Sequence, residues 1–323
     1  MTTDKKLKKT VPFLSKHKLK ETGSNLAVSI FRYLLLIAIS YIILYPLFAM
    51  IAYSLQSKSD VMDTSVTWIP KAGTFETYAV AWKALQYPKS LFNTILVGMV
   101  SAVLEIFSCA IAAYGFARFK FKCRGFLFGI VLFTAIVPVQ ILIIPLFLNY
   151  RFFNFGYILD IINLIPGVDI PTISLVNSPL TFWLPSLFGV GLRSGLFIFI
   201  YRQFFMGLPK ELEEASWIDG CNPLMTFFRV VIPSSGVVFL TVSIFAIIWH
   251  WNEYYQSVIF FTNDFPLSVM LSNIRTLQNV PRDAFAAPYV SAGCLMFIAP
   301  VLILYLFLQK KFIQSIDRVG IVG

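Results

Sequence analysis

The sequence predicts an all-α integral membrane protein with six transmembrane helices, and three observations carry that prediction. Of its 323 residues 58% are hydrophobic and only 13% charged, whereas a soluble domain carries about a quarter charged residues. The apolar residues gather in stretches of about twenty or more, enough to cross about 30 Å of hydrocarbon at roughly 1.5 Å rise per residue. The lysines and arginines behind the net charge of +10 flank those stretches and crowd alternate connections, the distribution that orients a multi-pass chain with its basic loops inside the cell. The basic balance is therefore topogenic, and nucleic acid is not an expected partner; membrane lipid is.

Residues 1–28 carry Lys5, Lys6, Lys8, Lys9, Lys16, Lys18 and Lys20 and read, through Asn25, as a disordered cytoplasmic tail. The apolar run that follows is too long for a signal peptide and lacks a small-residue cleavage site, so it is expected to remain as the first span. That span, Tyr33 to Leu55, has no charge in 23 residues, and Pro46 is expected to kink it. Gln56 to Ser90 is polar and proline-bearing, with FETYAVAWKAL patterned as a short amphipathic helix at the outer surface. Residues 29–90 thus form a first unit, 91–312 a core of five spans, and 313–323 a cytoplasmic tail.

Within the core, Leu91 to Ala117 is the second span, and Arg118, Lys120, Lys122 and Arg124 mark a tight cytoplasmic turn. The third runs from Gly125 to about Tyr150, bent by Pro138 and Pro145. Arg151 to Pro179 is placed outside; the fourth span begins between Leu180 and Leu187 and ends near Phe205. Val237 to Phe261 is the fifth, Thr262 to Pro288 an external loop, and Tyr289 to Gln309 the sixth. Lys310, Lys311 and Arg318 return the chain to the cytoplasm, so both termini are expected inside. Cys109 and Cys294 fall in apolar segments and Cys123 and Cys221 on the cytoplasmic side, which reads as packing and reduced thiols rather than a disulfide framework.

Between the fourth and fifth spans lies a polar interruption, Tyr201 to Pro233, patterned as two short helices. Pro209 suits a first helical turn, and Glu211, Glu213 and Glu214 complement the positive end of that helix. Gly220 supplies a left-handed stop. Asn222 is a good N-cap with Pro223 at the first helical position, and the second helix is expected to run through Phe227 and Arg229 until Pro233 ends it.

This unit contains Glu214, Ala215 and Ser216, three residues, Gly220, nine residues, then Val230, Val231, Ile232 and Pro233. It resembles the E-A-A, three, Gly, nine, I-x-L-P signature of the membrane subunits of binding-protein-dependent ABC importers, with Ser for the second Ala and aliphatic swaps. RQFF before the motif and WHWNEYY after it are similar to the carbohydrate-uptake branch, in particular to maltose-type second permease subunits. The resemblance covers roughly Asn93 to the C-terminus and implies a type I ABC importer permease fold in the bacterial inner membrane, with a cytoplasmic coupling helix. It further implies a second permease subunit, two ATP-binding subunits that hold ATP and Mg, and an extracytoplasmic sugar-binding protein. By position, the ATPase-coupling residues are Glu214, Ala215, Ser216, Gly220, Val230, Ile232 and Pro233. About twenty residues near Asp160 to Ser178 exceed the usual connection and, with the loop Thr262 to Pro288, are candidates for gripping the binding protein.

Glu105, Arg193, Trp249, Asn252 and Glu253 are the candidate pathway residues, because charge inside a bilayer is costly and needs a reason. The competing reading makes Glu105 a hydrogen-bond partner of a neighbouring helix and lets Arg193 and Glu253 snorkel to the outer surface. Trp249, Trp251, Tyr254 and Tyr255 are suited either to stacking on sugar rings or to an interfacial aromatic belt. The chain has no Gly-Lys pair and therefore no phosphate-cradling Gly-x-x-x-x-Gly-Lys-Ser/Thr loop. Its two histidines, His17 and His250, lie apart in the sequence, which argues against a metal site, and no nucleophile with a paired base is visible. An enzyme is not expected, and ATP hydrolysis is assigned to a partner chain. The alternative is a proton-coupled secondary transporter using Glu105 or Glu253.

Overall fold

In the computed structural model, residues 15–153, 172–277, 280–281 and 283–320 are described. Apart from one isolated antiparallel bridge, Phe153 to Ile173, their regular structure is entirely helical. Helix α1 spans Ser15–Ser54 and passes through Pro46 without interruption. It starts well before the predicted span, so Ser15 to Asn25 is helix rather than disordered tail; Lys, Leu and Glu there are strong helix formers. Its large apolar side chains stay exposed, Phe31 at 67% and Ile42 at 71% among them, as suits a helix whose solvent is lipid.

Helix α2, Glu76–Ala84, is the predicted amphipathic helix, but it packs against the final helix through Ala81 instead of only resting on a surface. Helix α3 covers Tyr87–Arg118, with a π-helical turn at Ile95–Met99. After the basic turn come α4, Arg124–Ile136, and α5, Val139–Arg151, which meet at a 101° bend. Pro138 sits in the break, in extended backbone, whereas Pro145 is carried inside α5.

Helix α6, Leu180–Leu187, and α7, Ser194–Gly207, divide the predicted fourth span. Phe188 to Arg193 leave the helix, and Gly189 and Arg193 both adopt left-handed backbone. Helices α8, Glu211–Ile218, and α9, Pro223–Ser234, follow; α9 includes a π turn at Phe227–Val231. Helix α10, Gly236–Trp251, departs from α9 at 84°.

The fifth predicted span is also interrupted: Asn252 to Tyr254 leave the helix before α11, Tyr255–Phe260. Side chains explain the break. Asn252 Nδ2 donates to the Ile248 carbonyl at 2.7 Å, and Glu253 Oε1 accepts the Gln256 N–H at 2.7 Å. Helix α12, Leu267–Ser272, precedes α13, Ala287–Gly320, which packs along α1. Here too the expected C-terminal tail is helical through Gly320.

Among the described residues, three helices are long and apolar enough to cross a membrane, or up to five if each sharply bent pair is one span. The principal core lies where α3, α7, α9 and α10 meet, filled by Phe197, Tyr201, Phe205, Phe227 and Val242. Of the extra segment near Asp160 to Ser178, residues 160–171 lie outside the described residues.

Candidate functional site

Helices α8 and α9 are joined by a short corner at Asp219 to Asn222. Gly220 has φ of +83°, and its neighbours close the helix end: Cys221 N–H donates to the Ser216 carbonyl at 2.9 Å and Gly220 N–H to that of Trp217 at 3.0 Å. This is the left-handed stop predicted from glycine, whose missing side chain removes the steric cost of positive φ. Asn222 caps α9 as predicted, its Oδ1 accepting the Met225 N–H at 2.8 Å, with Pro223 next in line. Pro209 falls just before the first helical turn rather than in it, and α9 carries Pro233 to end one residue later, at Ser234.

The two helices are tied by side chains the sequence did not single out as a pair. Ser216 Oγ donates to the Glu213 carbonyl at 2.8 Å and lies 2.8 Å from Thr226 Oγ1, both hydroxyls being buried. Ser216 has a single hydroxyl proton, already given to Glu213, so Thr226 is the donor of the second bond. Glu214, Ala215, Asp219 and Gly220 face outward. Around them stand Leu212, Trp217, Leu224 and Phe228, all exposed, and Ile218, which is 87% exposed. Val230 and Ile232 are half-buried and Pro233 is exposed.

Glu213 lies in the first turn as expected, and its side chain turns inward. Its Oε1 lies 2.6 Å from Arg118 Nε, an ion pair in which the side chains keep 6% and 8% exposure. Tyr114 Oη donates to Oε2 at 3.3 Å, and Arg118 Nη2 donates to the Leu208 carbonyl at 2.8 Å. The last residue of α3 thus grips both the exit of α7 and the body of α8.

A second polar cluster sits mid-way along α3. Glu105 is fully buried; His250 Nε2, on α10, lies 2.6 Å from its Oε2, and Ser194 Oγ, at the start of α7, donates to its Oε1. Three helices are therefore joined at one carboxyl. Beside the cluster is a cavity of about 390 Å³ whose wall includes Ser186, Arg193, Ser194, His250 and Gln256.

A family model described as "Binding-protein-dependent transport system inner membrane component" matches residues 105–318. The chain belongs to that family. Among its relatives, the probable ABC transporter permease protein YurM of Bacillus subtilis is 29% identical over 303 residues, covering 92% of this chain and 88% of the relative. The arabinooligosaccharides transport system permease protein AraQ, also of Bacillus subtilis, is 26% identical over 294 residues, with 88% and 92% covered. A solved bacterial ABC transporter involved in the import of the acidic polysaccharide alginate shares the fold: TM-score 0.68 at 22% identity, covering 94% of this chain and 100% of that one.

The chain is thus a membrane component of a transport system and not itself an enzyme, and the family leaves the proton-coupled alternative without support. The other candidate pathway residues are not bonded to Glu105, although Arg193 shares the cavity wall with Ser194 and His250. Arg193 is exposed, and its guanidinium lies over the Trp249 ring, 5.7 Å from the centroid, while Trp249 stacks on Phe197 and Phe245. Asn252 and Glu253 serve the break between α10 and α11. Glu105, His250 and Ser194 are hydrogen-bonded together; Arg193, Asn252 and Glu253 make no hydrogen bond to that carboxyl. His250 is legible in the sequence as an ionisable residue of the fifth span, and Ser194 could have been found as a polar residue of an otherwise apolar stretch. Their pairing with Glu105 is a matter of tertiary structure.

Proposed function

We propose that this chain is a pore-forming permease subunit of an ATP-driven importer of a sugar or oligosaccharide, working beside a second permease. In this reading α8 and α9 are the coupling unit that seats on separate subunits binding ATP and Mg, and an extracytoplasmic binding protein delivers the cargo. Six crossings are counted with α4 and α5, α6 and α7, and α10 and α11 each taken as one interrupted span, both termini and the platform lying on the cytoplasmic side where the basic turns fall. The oligosaccharide named for AraQ supports the substrate class.

The single observation that carries the coupling role is the platform's two-sidedness. Glu213, Ser216 and Thr226 hold it from behind, while Ala215, Gly220 and five large apolar side chains are left uncovered around Glu214. An apolar patch of this kind, rimmed by carboxylates, fits a protein groove. It suits an anionic lipid leaflet poorly, because Glu211, Glu214 and Asp219 would face like charge. Rigid-body movement of a partner seated there would drag the attached helices.

Cysteine placed at Ala215 tests the reading: a bifunctional maleimide applied to membranes should capture an ATPase. Gly220→Asp should leave the chain in the membrane, yet abolish both that capture and uptake. Normal uptake by Gly220→Asp, or an uncaptured ATPase in working membranes, would refute the assignment.

A further inference from the structure

We infer that the buried Arg118–Glu213 pair is the strut through which movement of the platform reaches α3, which makes both residues positioning residues of transport. The inference rests on reading the platform as the ATPase-docking surface, and goes beyond it by naming the internal contact that carries the motion. Covalently, α8 is joined to α7 through Leu208 to Lys210 and to α10 through α9. Both connections also meet α3: Leu208 accepts from Arg118 at 2.8 Å, and Phe227 of α9 packs on Tyr114, ring centroids 5.1 Å apart. The charged contact between α8 itself and α3 is made by Arg118, whose Nε meets Glu213 at 2.6 Å. One planar guanidinium thus holds the platform and the helix leading into it in a fixed relation, with Tyr114, one turn back, supporting the same carboxylate.

Stability does not account for this arrangement. A buried ion pair is often no better than apolar residues of the same volume, because desolvation offsets the attraction. Topology does not account for it either: the positive-inside preference needs a charge, which Lys120, Lys122 and Arg124 already supply, and a lysine would serve at 118 as well. What arginine adds is a planar group that reaches two partners at once, Nε against Glu213 as an ion pair without hydrogen-bond alignment and Nη2 as a donor to Leu208. Separating the platform from α3 would strand two buried charges, so the two move as one body. Thirteen positions earlier in α3, about 20 Å along the axis, Glu105 bonds Ser194 of α7 and His250 of α10. Helix α3 is therefore clamped to the platform at its end and, mid-way, to both helices that flank the platform in sequence.

The test uses the complete complex, purified with its partner subunits in nanodiscs, and needs no knowledge of the sugar. Cys109 on α3 is fully buried, its Sγ 3.8 Å from the Ser194 carbonyl, so its modification by N-ethylmaleimide, read by peptide mass spectrometry, reports movement of α3 against α7. In the wild type, turnover with Mg-ATP should change that rate by about tenfold or more, the scale of a buried group becoming reachable through local opening. Arg118→Lys keeps the charge but not the fork, and Glu213→Gln keeps the shape but not the ion pair. Each should reduce the labelling response, normalised to ATP hydrolysed, by about tenfold. A merely structural role would lower hydrolysis and response together and leave their ratio unchanged. If either variant fails to assemble, the apolar pair Arg118→Met with Glu213→Leu, which should fold, is read in the same way. A wild-type response per ATP in these variants, or a wild-type complex that hydrolyses ATP with no change at Cys109, would overturn the strut. Absence of any co-purifying ATPase would overturn the docking reading beneath it instead.

Discussion

Replacing Ser216 by alanine would restore the residue of the family signature, yet the structure predicts that it weakens the platform. Ser216 Oγ accepts from Thr226, and Thr226 is fully buried with that one side-chain partner. In Ser216→Ala the Thr226 hydroxyl keeps its burial and loses its acceptor, a penalty of about 1–3 kcal/mol. Helix α8 has only eight residues, too few to persist without its neighbours, so the penalty should appear as local opening of its C-terminal half. At about 1.4 kcal/mol per decade, hydrogen exchange at the amides from Ala215 to Gly220 should quicken roughly 5- to 150-fold, measured on the permease in nanodiscs. Thr226→Val alone leaves Ser216 still bonded to the Glu213 carbonyl, and should cost less. With both changes no hydroxyl is stranded, and protection should return most of the way to that of the wild type. Unchanged exchange in Ser216→Ala, or a double variant as unprotected as the single, would refute the reasoning.

Three further substitutions probe the frame. Gly195→Ala should be destabilising by about 1–3 kcal/mol in detergent thermal unfolding, because the added carbon would lie 2.6 Å from the Val131 carbonyl oxygen, a backbone atom of α4. Glu105→Ala should lose about 3 kcal/mol or more by stranding His250 and Ser194, while Glu105→Gln, which still offers an acceptor and a donor, should lose less than half as much in the same assay. Asn222→Ala removes the cap of α9 and should cost about 1 kcal/mol, seen as faster exchange at Met225, whose N–H it holds.

How legible the molecule was depended on whether a feature is local. Gly220, Asn222 and Pro223 act on their own backbone, and the corner they make could be read from three letters. The basic turn and the main apolar stretches were likewise visible, since burial in lipid needs only composition and length. The broken spans were not. Asn252 and Glu253 end one helix and start another through bonds to residues three or four positions away, a use of polar side chains that looks, in sequence, like a pathway residue in an unbroken helix. Glu213 falls in the first turn as expected, but there an acid suits the helix end whether exposed or buried, and nothing local reveals that Arg118, 95 positions earlier, waits behind it.

The positions of the buried polar contacts follow from the solvent. In water, apolar side chains drive helices together and their shapes refine the register; in a bilayer the lipid tails are as apolar as leucine, so such contacts give little preference for one neighbour over lipid. Register must then come from contacts lipid cannot imitate. This chain uses two kinds: close backbone approach, as where Gly195 admits α4 against α7, and hydrogen bonds between helices. Glu105 reaches α7 and α10 from α3, and Arg118 reaches α7 and α8 from the same helix. Because the two clusters share α3, a change in how α8 sits cannot be absorbed by sliding along an apolar face. It must either break a buried polar contact, stranding a charged or hydrogen-bonding group, or carry α3 with it.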